Sequence, residues 1–302
     1  MGQARRKSSR LSRWSKKLSY FWESISSKAY WQYALFSRAG GWAFLAVFGA
    51  INLFIGALDF FNVYTRDEYA SYAIWIFIAV SGLISIFFFR RPVTSVKIKL
   101  PTSDIHIEVK IGDLFEETGA VVISSNTAFE ADVAHGKIAA DSLQGKFTKE
   151  YFTGDQSELI DLIQEELSQI EGESPYPMGT IVPINTHGKT FYFAAMAELN
   201  EQGNAKSTVK GVEKALDGLW KHVRESGELQ ELAIPVIGTG RGRIVRRDRK
   251  RMIQTIAESF VDGSKDGKVS DKLLIVIWPE DAQKFQVNLW EVKDYLDNAF
   301  SA

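Results

Sequence analysis

Two apolar runs, Gly40 to Tyr64 and Tyr69 to Phe89, stand four residues apart near the front of a 302-residue chain, and no comparable run follows them. A helix needs about 20 residues to cross the hydrocarbon core of a bilayer, and each run is long enough to do so. The gap, Thr65-Arg66-Asp67-Glu68, is polar and short, which predicts a helical hairpin whose two ends return to the same side. The polar remainder of the chain then works beside a membrane. A buried helical hairpin in a large soluble core is the competing reading, kept open by Asn52 and Asp59. A carboxylate in the spanning zone is costly unless it is paired or lies near the interface. Asp59 is close to the polar loop, so interfacial depth and subunit contact are both open for it.

Charge gives the orientation. Residues 1–38 carry nine Lys or Arg (Arg5, Arg6, Lys7, Arg10, Arg13, Lys16, Lys17, Lys28 and Arg38) against the single acid Glu23, a balance of +8. Arg90 and Arg91 close the second run, whereas Arg66 in the connecting loop is offset by Asp67 and Glu68. The positive-inside rule then puts both termini in the cytoplasm, with a multi-pass arrangement. A signal peptide is not expected, because the apolar run begins only near residue 40, behind a basic aromatic arm. In that arm Leu11, Trp14, Leu18, Phe21, Trp22 and Ile25 recur at helical spacing, a pattern that predicts an interfacial amphipathic helix. Cysteine is absent, which removes disulfides, thiol nucleophiles and thiolate metal sites and suits a reducing compartment.

Residues 39–91 are neutral overall, so the net charge of −1 for the whole chain less the +8 of the arm leaves −9 on residues 92–302. A domain that acidic is a poor general partner for nucleic acid. Its pattern alternates. Strands are predicted at Ile105–Lys110, Val121–Ser124, Thr180–Ile184, Phe191–Met196, Leu232–Ile237 and Leu273–Trp278. Helices are predicted over Asp155–Ile170, after a cap at Ser207, from about Asp248 through Phe260, and from Leu289 through Leu296. Alternation of this kind argues for an α/β sheet covered by helices on both faces. The expected organisation is a basic amphipathic arm (1–38), a transmembrane hairpin (39–91, with spans 40–64 and 69–89) and a ligand-binding domain (92–302).

Ligands on such sheets bind beyond the carboxyl ends of the strands, and three turns there are suited to one. Ile111-Gly112-Asp113-Leu114-Phe115 offers an acid on a glycine turn, and Ser124-Ser125-Asn126-Thr127 offers small polar groups that allow close approach. Gly238-Thr239-Gly240-Arg241-Gly242-Arg243 frees backbone N–H groups to converge on an anion, with arginines available for phosphate.

In this order Gly112-Asp113-Leu114-Phe115, Val121-Val122-Ile123-Ser124-Ser125-Asn126, Met178-Gly179-Thr180-Ile181-Val182-Pro183 and Ile234-Pro235-Val236-Ile237-Gly238-Thr239-Gly240 resemble a macro domain, the ADP-ribose-binding module, over roughly residues 96–300. With the hairpin and basic arm, the chain is similar to the membrane-bound macro-type effectors of type II Thoeris anti-phage defence. The resemblance implies a three-layer α/β/α fold with a mixed sheet behind a two-helix transmembrane hairpin. It also implies a signal made from NAD by a TIR-domain enzyme, a histidine conjugate of ADP-ribose. Binding of that signal would be followed by homo-oligomerisation, disruption of the lipid bilayer and abortive infection. No cofactor or metal is implied.

Carried over by motif, Asp113 accepts a hydrogen bond from the adenine amino group beside the backbone of Leu114, Ser125, Asn126 and the loop Thr127–Asp132 face the distal ribose, and Gly238–Arg243 hold the diphosphate. An aromatic after the last strand, Trp278 or Phe285, is implied as a cover for adenine. Hydrolytic macro domains carry a second asparagine just before the position of Asn126 and a glycine triplet after it. Here Ser124-Ser125 and Ala131-Asp132-Val133-Ala134-His135-Gly136-Lys137 stand instead, which argues for sensing rather than catalysis and leaves Glu130 or Asp132 to pair with a cationic group on the ligand. A membrane-anchored ADP-ribosyl hydrolase is the alternative, and a passive scaffold a third.

Gly188-Lys189-Thr190 lacks the glycine that a phosphate loop requires, Pro183 standing there, and reads as a turn between strands. His106, His135, His187 and His222 show no pair at ligand spacing. Seven of the eleven residues from Arg241 to Arg251 are basic, open to the diphosphate, to anionic lipid, to an acidic patch on a neighbouring subunit, or to solvent.

Overall fold

The computed structural model describes residues 19–20, 22, 24–61, 70–89, 91–101, 103–153, 155–201, 204–226, 231–237 and 249–300. The basic residues of 5–17, with Leu11, Trp14, Leu18 and Phe21, the 65–68 loop, and the Gly238–Asp248 stretch lie outside the described residues.

Helix α1 (Lys28–Phe36) and helix α2 (Arg38–Phe60) are separated by Ser37 alone, and each starts where a serine hydroxyl caps it: Ser27 accepts from the Tyr30 N–H at 3.3 Å and Ser37 from the Gly40 N–H at 3.1 Å. The corner between them is tight. A β-carbon on Gly40 would meet the Ala34 carbonyl oxygen at 2.2 Å, so this position has no room for any other residue. Helix α3 (Ala70–Phe89) packs back on α2, with the Phe48 and Phe77 rings edge to face at 4.6 Å.

Among the described residues one helix, Arg38–Phe60, is both long and apolar enough to cross a membrane, and α3 contributes a shorter apolar stretch, Ile74–Ile86. The expected pair of spans is therefore reduced to one candidate by length and composition, and the multi-pass arrangement is not supported. The competing reading of a buried soluble hairpin does not fit α2: only Gly40 and Val47 are buried in it, while Leu53 is 78% and Phe60 81% exposed. An exposed apolar surface of this kind marks a helix that meets hydrocarbon or another protein surface.

The remainder is a three-layer α/β/α domain. Its strands are β1 (Ser95–Lys99), β2 (His106–Ile111), β3 (Ala120–Asn126), β4 (Ile181–Thr186), β5 (Lys189–Leu199), β6 (Ala205–Lys206), β7 (Leu232–Pro235) and β8 (Lys272–Ile277). They form one mixed sheet in the order β1-β2-β8-β7-β3-β5-β4, with β6 paired to β5. The five central strands β2, β8, β7, β3 and β5 are parallel, and β1 and β4 close the edges antiparallel. All six strands expected from the apolar runs are present, and the edge strand β1 and the short β6 are additional.

Helices α4 (Leu143–Tyr151) and α5 (Gln156–Leu167) cover one face through Phe147, Leu159 and Ile163. Helices α6 (Val209–Ser226), α7 (Arg249–Gly263) and α9 (Leu289–Phe300) cover the other through residues such as Leu216, Trp220, Ile253, Phe260 and Leu296, and the short α8 (Pro279–Lys284) joins β8 to α9. The cap of α6 differs from expectation. Thr208 Oγ1 accepts from the Gly211 N–H at 3.0 Å, while Ser207 is turned inward and donates to the Met196 carbonyl at 2.8 Å. The β4–β5 connection is the predicted turn, with His187 and Gly188 at φ of 52° and 71°, the left-handed pair that a two-residue hairpin requires.

Tyr20 belongs to the core beneath α9, 3% exposed, with its hydroxyl donating to the Val287 carbonyl at 2.9 Å. The arm thus has two sides: Tyr20 is set into the α/β core and Ser24 is buried, while Trp22 is exposed.

Glu108 on β2 accepts from the Ser95 hydroxyl at 2.5 Å and pairs with Lys272 on β8 at 3.0 Å. Burial pushes this carboxyl up, but the bonds from Ser95 and Lys272 outweigh it and hold Glu108 below its usual value of 4.5. The folded state then binds fewer protons than the unfolded chain, so the pair stabilises above the usual carboxylate range and the contribution is lost as the pH falls through it. Thermal midpoints of the native chain and of Glu108→Gln should therefore differ most near neutrality and converge toward pH 3; a constant gap would remove the pair from the acid response.

Candidate functional site

The carboxyl ends of β2, β8, β7 and β3 lie side by side, and each delivers a residue singled out in the sequence. Asp113 follows β2, Trp278 follows β8, Ile237 leads out of β7 toward Gly238, and Asn126 ends β3. At the usual strand separation, three steps from β2 to β3 span about 14 Å.

At the β2 end, the Gly112 N–H donates to the Ile277 carbonyl at 3.0 Å, tying the turn to β8. Asp113 is 5% exposed and caps a single 3-10 turn, Leu114–Glu116, by accepting from the Phe115 N–H at 3.0 Å. Lys189 reaches over from β5 and donates to the Phe115 and Glu117 carbonyls at 2.8 and 2.7 Å, and Lys110 pairs with the Glu117 carboxylate at 2.8 Å. Burial pulls the Lys189 ammonium below its ordinary value, against the opposing charges of Glu117, Glu150 and Asp113. Lys189, by sequence only part of a turn between strands, is the clamp on the acid's turn.

At the β3 end, the ladder to β5 slips between Ser125 and Asn126, and Asn126, 5% exposed, starts the next loop. Its Oδ1 accepts from the Ala128 and Glu130 N–H groups at 3.0 and 3.2 Å. The carboxamide oxygen expected to face a ribose is therefore spent on shaping Thr127–Glu130, and Phe129 within it adopts φ of 50°. Gln144 on α4 fixes the same loop, donating to the Glu130 carbonyl at 2.8 Å and accepting from the Ser125 hydroxyl at 3.5 Å. Gln156 on α5 donates to the Ala131 carbonyl at 3.0 Å. Neither glutamine stands out in the sequence: Gln144 lies on Leu143–Tyr151, a polar helix with little periodic signal, and Gln156 opens α5 ahead of its apolar face.

Both acids beyond Asn126 already have cationic or imidazole partners. Glu130 pairs with Lys137 at 3.0 Å, and Asp132 Oδ2 lies 2.8 Å from His135 Nδ1. The His135 backbone N–H, and then its ring, hold Asp132 below the usual carboxylate range against burial.

The aromatic candidates carry cations too. The Lys146 ammonium sits 4.2 Å from the ring centre of the half-buried Trp278, and the Arg249 guanidinium lies 3.0 Å over Phe285 and 3.7 Å from Asp281. Lys250 pairs with Glu291. These two members of the basic cluster thus face acids and an aromatic of their own chain rather than lipid or a neighbouring subunit, whereas Arg251 is exposed. Among the described residues no group of His, Cys, Asp or Glu is arranged to hold a metal ion.

A mixed sheet between two helical layers, with polar turns gathered on the carboxyl edge of its parallel strands, defines an α/β ligand-binding module. Residues 107–278, more than half of the chain, match the family described as Thoeris protein ThsA, Macro domain, and the chain belongs to that family. It is similar to the Thoeris protein ThsA of Bacillus amyloliquefaciens (strain Y2), 23% identical over 235 residues that cover 74% of this chain and 78% of the relative. Among solved structures, the Oceanobacillus iheyensis macrodomain with ADP is 14% identical, with a TM-score of 0.48 over 68% of this chain and 100% of that one. A Trypanosoma brucei macrodomain is also 14% identical, with a TM-score of 0.39 over 65% and 73%.

Proposed function

We propose that this chain is a membrane-attached sensor in anti-phage defence, whose α/β domain binds an ADP-ribose-derived signal and whose helix Arg38–Phe60, with Ala70–Phe89 packed on it, carries the response into the bilayer. The observation that carries the reading is the alignment of Asp113, Trp278, Ile237 and Asn126 along one edge of four adjacent strands in a chain of the ThsA macro family. That edge suits a base, a diphosphate and a second ribose laid end to end. In this reading the boundaries are 1–38, 39–91 and 92–302. Asp113 and the backbone of Leu114 select the adenine amine, and Gly238–Arg243, including Thr239, Gly240, Arg241 and Gly242, hold the diphosphate. Ser125, Asn126, Thr127 and Asp132 line the distal end. The signal is a histidine conjugate of ADP-ribose made by a TIR-domain enzyme; binding drives self-association, membrane disruption and death of the infected cell.

Two features favour sensing over hydrolysis. Asn126 spends its carboxamide oxygen on the loop, and Ser124-Ser125 occupy the approach to it. Asp132 already accommodates an imidazole, that of the exposed His135, which is the group a histidine conjugate would present in its place. Calorimetry of the full chain in lipid nanodiscs should show binding of ADP-ribose and tighter binding of the conjugate, with the margin lost in Asp132→Asn. Release of ADP-ribose from a modified substrate would replace the sensor with a hydrolase.

A further inference from the structure

Helix α9 touches both ends of the molecule. On one side Glu291 pairs with Lys250 at the start of α7. On the other side the Trp290 indole N–H donates to the Arg91 carbonyl at 2.8 Å, just past the end of α3, and Asp294 accepts from the Tyr33 hydroxyl on α1 at 3.1 Å. The segments on either side of the apolar hairpin, α1 before it and Arg91 after it, are thus both tied to one helix of the α/β domain. The α8 turn before it makes a second route. The Trp278 carbonyl accepts from the Ala282 N–H at 2.9 Å, the Ala282 carbonyl accepts from the Val287 N–H at 2.9 Å, and the Val287 carbonyl accepts from the Tyr20 hydroxyl at 2.9 Å. Gln283, also on α8, bonds Ser19. Arg249 closes the two routes together, clasped between Asp281 and the Phe285 ring.

We propose that α8 and α9 form the coupling element of this protein, through which occupation of the edge at Trp278 releases the juxtamembrane segments 19–36 from the α/β domain. The inference rests on the ligand reading of that edge. A ligand shifts a conformational equilibrium only by binding its two states unequally, so a signal that left these contacts untouched could not reach the membrane helices. Trp278 is both a member of the edge and the first residue of the route to Tyr20. The arm is held at a few points, by the bonds of Ser19, Tyr20 and Tyr33 and by the buried Tyr20 ring, whereas the α/β core beneath it is continuous, so the arm is the part that yields. Reciprocity follows: whatever weakens docking of the arm tightens the ligand by up to the same factor, the gain ending once the competent state is the main one.

The test uses the full chain in phosphatidylglycerol-containing nanodiscs with ADP-ribose as the probe. Saturating ADP-ribose should speed hydrogen exchange of the amides in 19–36. The double variant Tyr20→Phe, Tyr33→Phe, which removes two arm hydroxyls distant from the edge, should bind ADP-ribose about two- to tenfold more tightly. Unchanged exchange in 19–36 under conditions where calorimetry shows binding overturns the coupling alone. Absence of any binding heat overturns the ligand reading and the coupling with it. The exchange measurement on the native chain needs no variant, so a folding defect in the double variant leaves it decisive.

Discussion

Gly218→Ala is expected to lower the thermal midpoint of the α/β domain by about 6–12 °C, the equivalent of about 3 kcal/mol in a domain of this size. In an exposed helix interior the same change would stabilise by roughly 0.5–1 kcal/mol, because alanine loses less backbone entropy than glycine, so the sign of the effect is itself diagnostic. The reversal comes from contact geometry. A β-carbon at Gly218 would lie 2.3 Å from the Gly179 carbonyl oxygen and 2.7 Å from its α-carbon, all backbone atoms. Gly179 is itself held in place: it sits at φ of 89°, its N–H donates to the Ala195 carbonyl at 3.0 Å, and α6 lies so close that a β-carbon on Gly179 would in turn meet the Lys214 carbonyl at 2.8 Å. Helix α6 must therefore lift, taking Leu216, Leu219 and Trp220 out of the core together. Gly41→Ala, where an added β-carbon meets nothing within 4 Å, serves as the neutral comparison. A midpoint for Gly218→Ala equal to or above that of the native chain would disprove the close contact between α6 and the β4 approach.

The strands of this domain were readable because each is a short apolar, β-branched run between helical segments, as in Ile107, Val109 and Ile111 or Leu273 to Ile277. Their order was not, since β8 between β2 and β7 is a pairing across more than 160 positions of sequence. Strand β1 escaped because only Val96 and Ile98 face the core from an edge, and α4 escaped because Phe147 and Tyr151 are the main apolar anchors on a polar segment. The cap of α6 was missed by one position, as two adjacent hydroxyl residues give the same signal and only the inward turn of Ser207 toward Met196 decides between them.

The site was legible in its acids, amides and glycines but not in what they already touch. Asn126 and Asp132 were identified by type and position, yet their partners come from the backbone of their own loop and from His135, which no spacing rule ranks above solvent or ligand. The arm shows the same limit. Helical spacing predicts an apolar face for lipid, of which Trp22 is described and exposed, but Tyr20 reaches a carbonyl 267 residues away. That contact is a property of the assembled core, and a local pattern cannot contain it.

Asp113→Asn is expected to weaken ADP-ribose binding by roughly 10- to 150-fold, the range of about 1.5–3 kcal/mol for a hydrogen bond to a charged group. The substitution is chosen because it separates recognition from architecture. An asparagine oxygen can still accept from the Phe115 N–H as Asp113 does at 3.0 Å, so the turn Leu114–Glu116 survives, while the negative charge that selects an amine donor is gone. Lys189→Met makes the opposite cut. It leaves the carboxylate in place but strips the Phe115 and Glu117 carbonyls of their shared donor, so the turn loosens and stability falls along with affinity. Calorimetry and thermal melts on the two variants together give the answer. Lost affinity at an unchanged midpoint in Asp113→Asn, against losses in both in Lys189→Met, assigns Asp113 to the ligand. Native affinity in Asp113→Asn would place the base elsewhere along the edge and reduce the acid to a cap for its own turn.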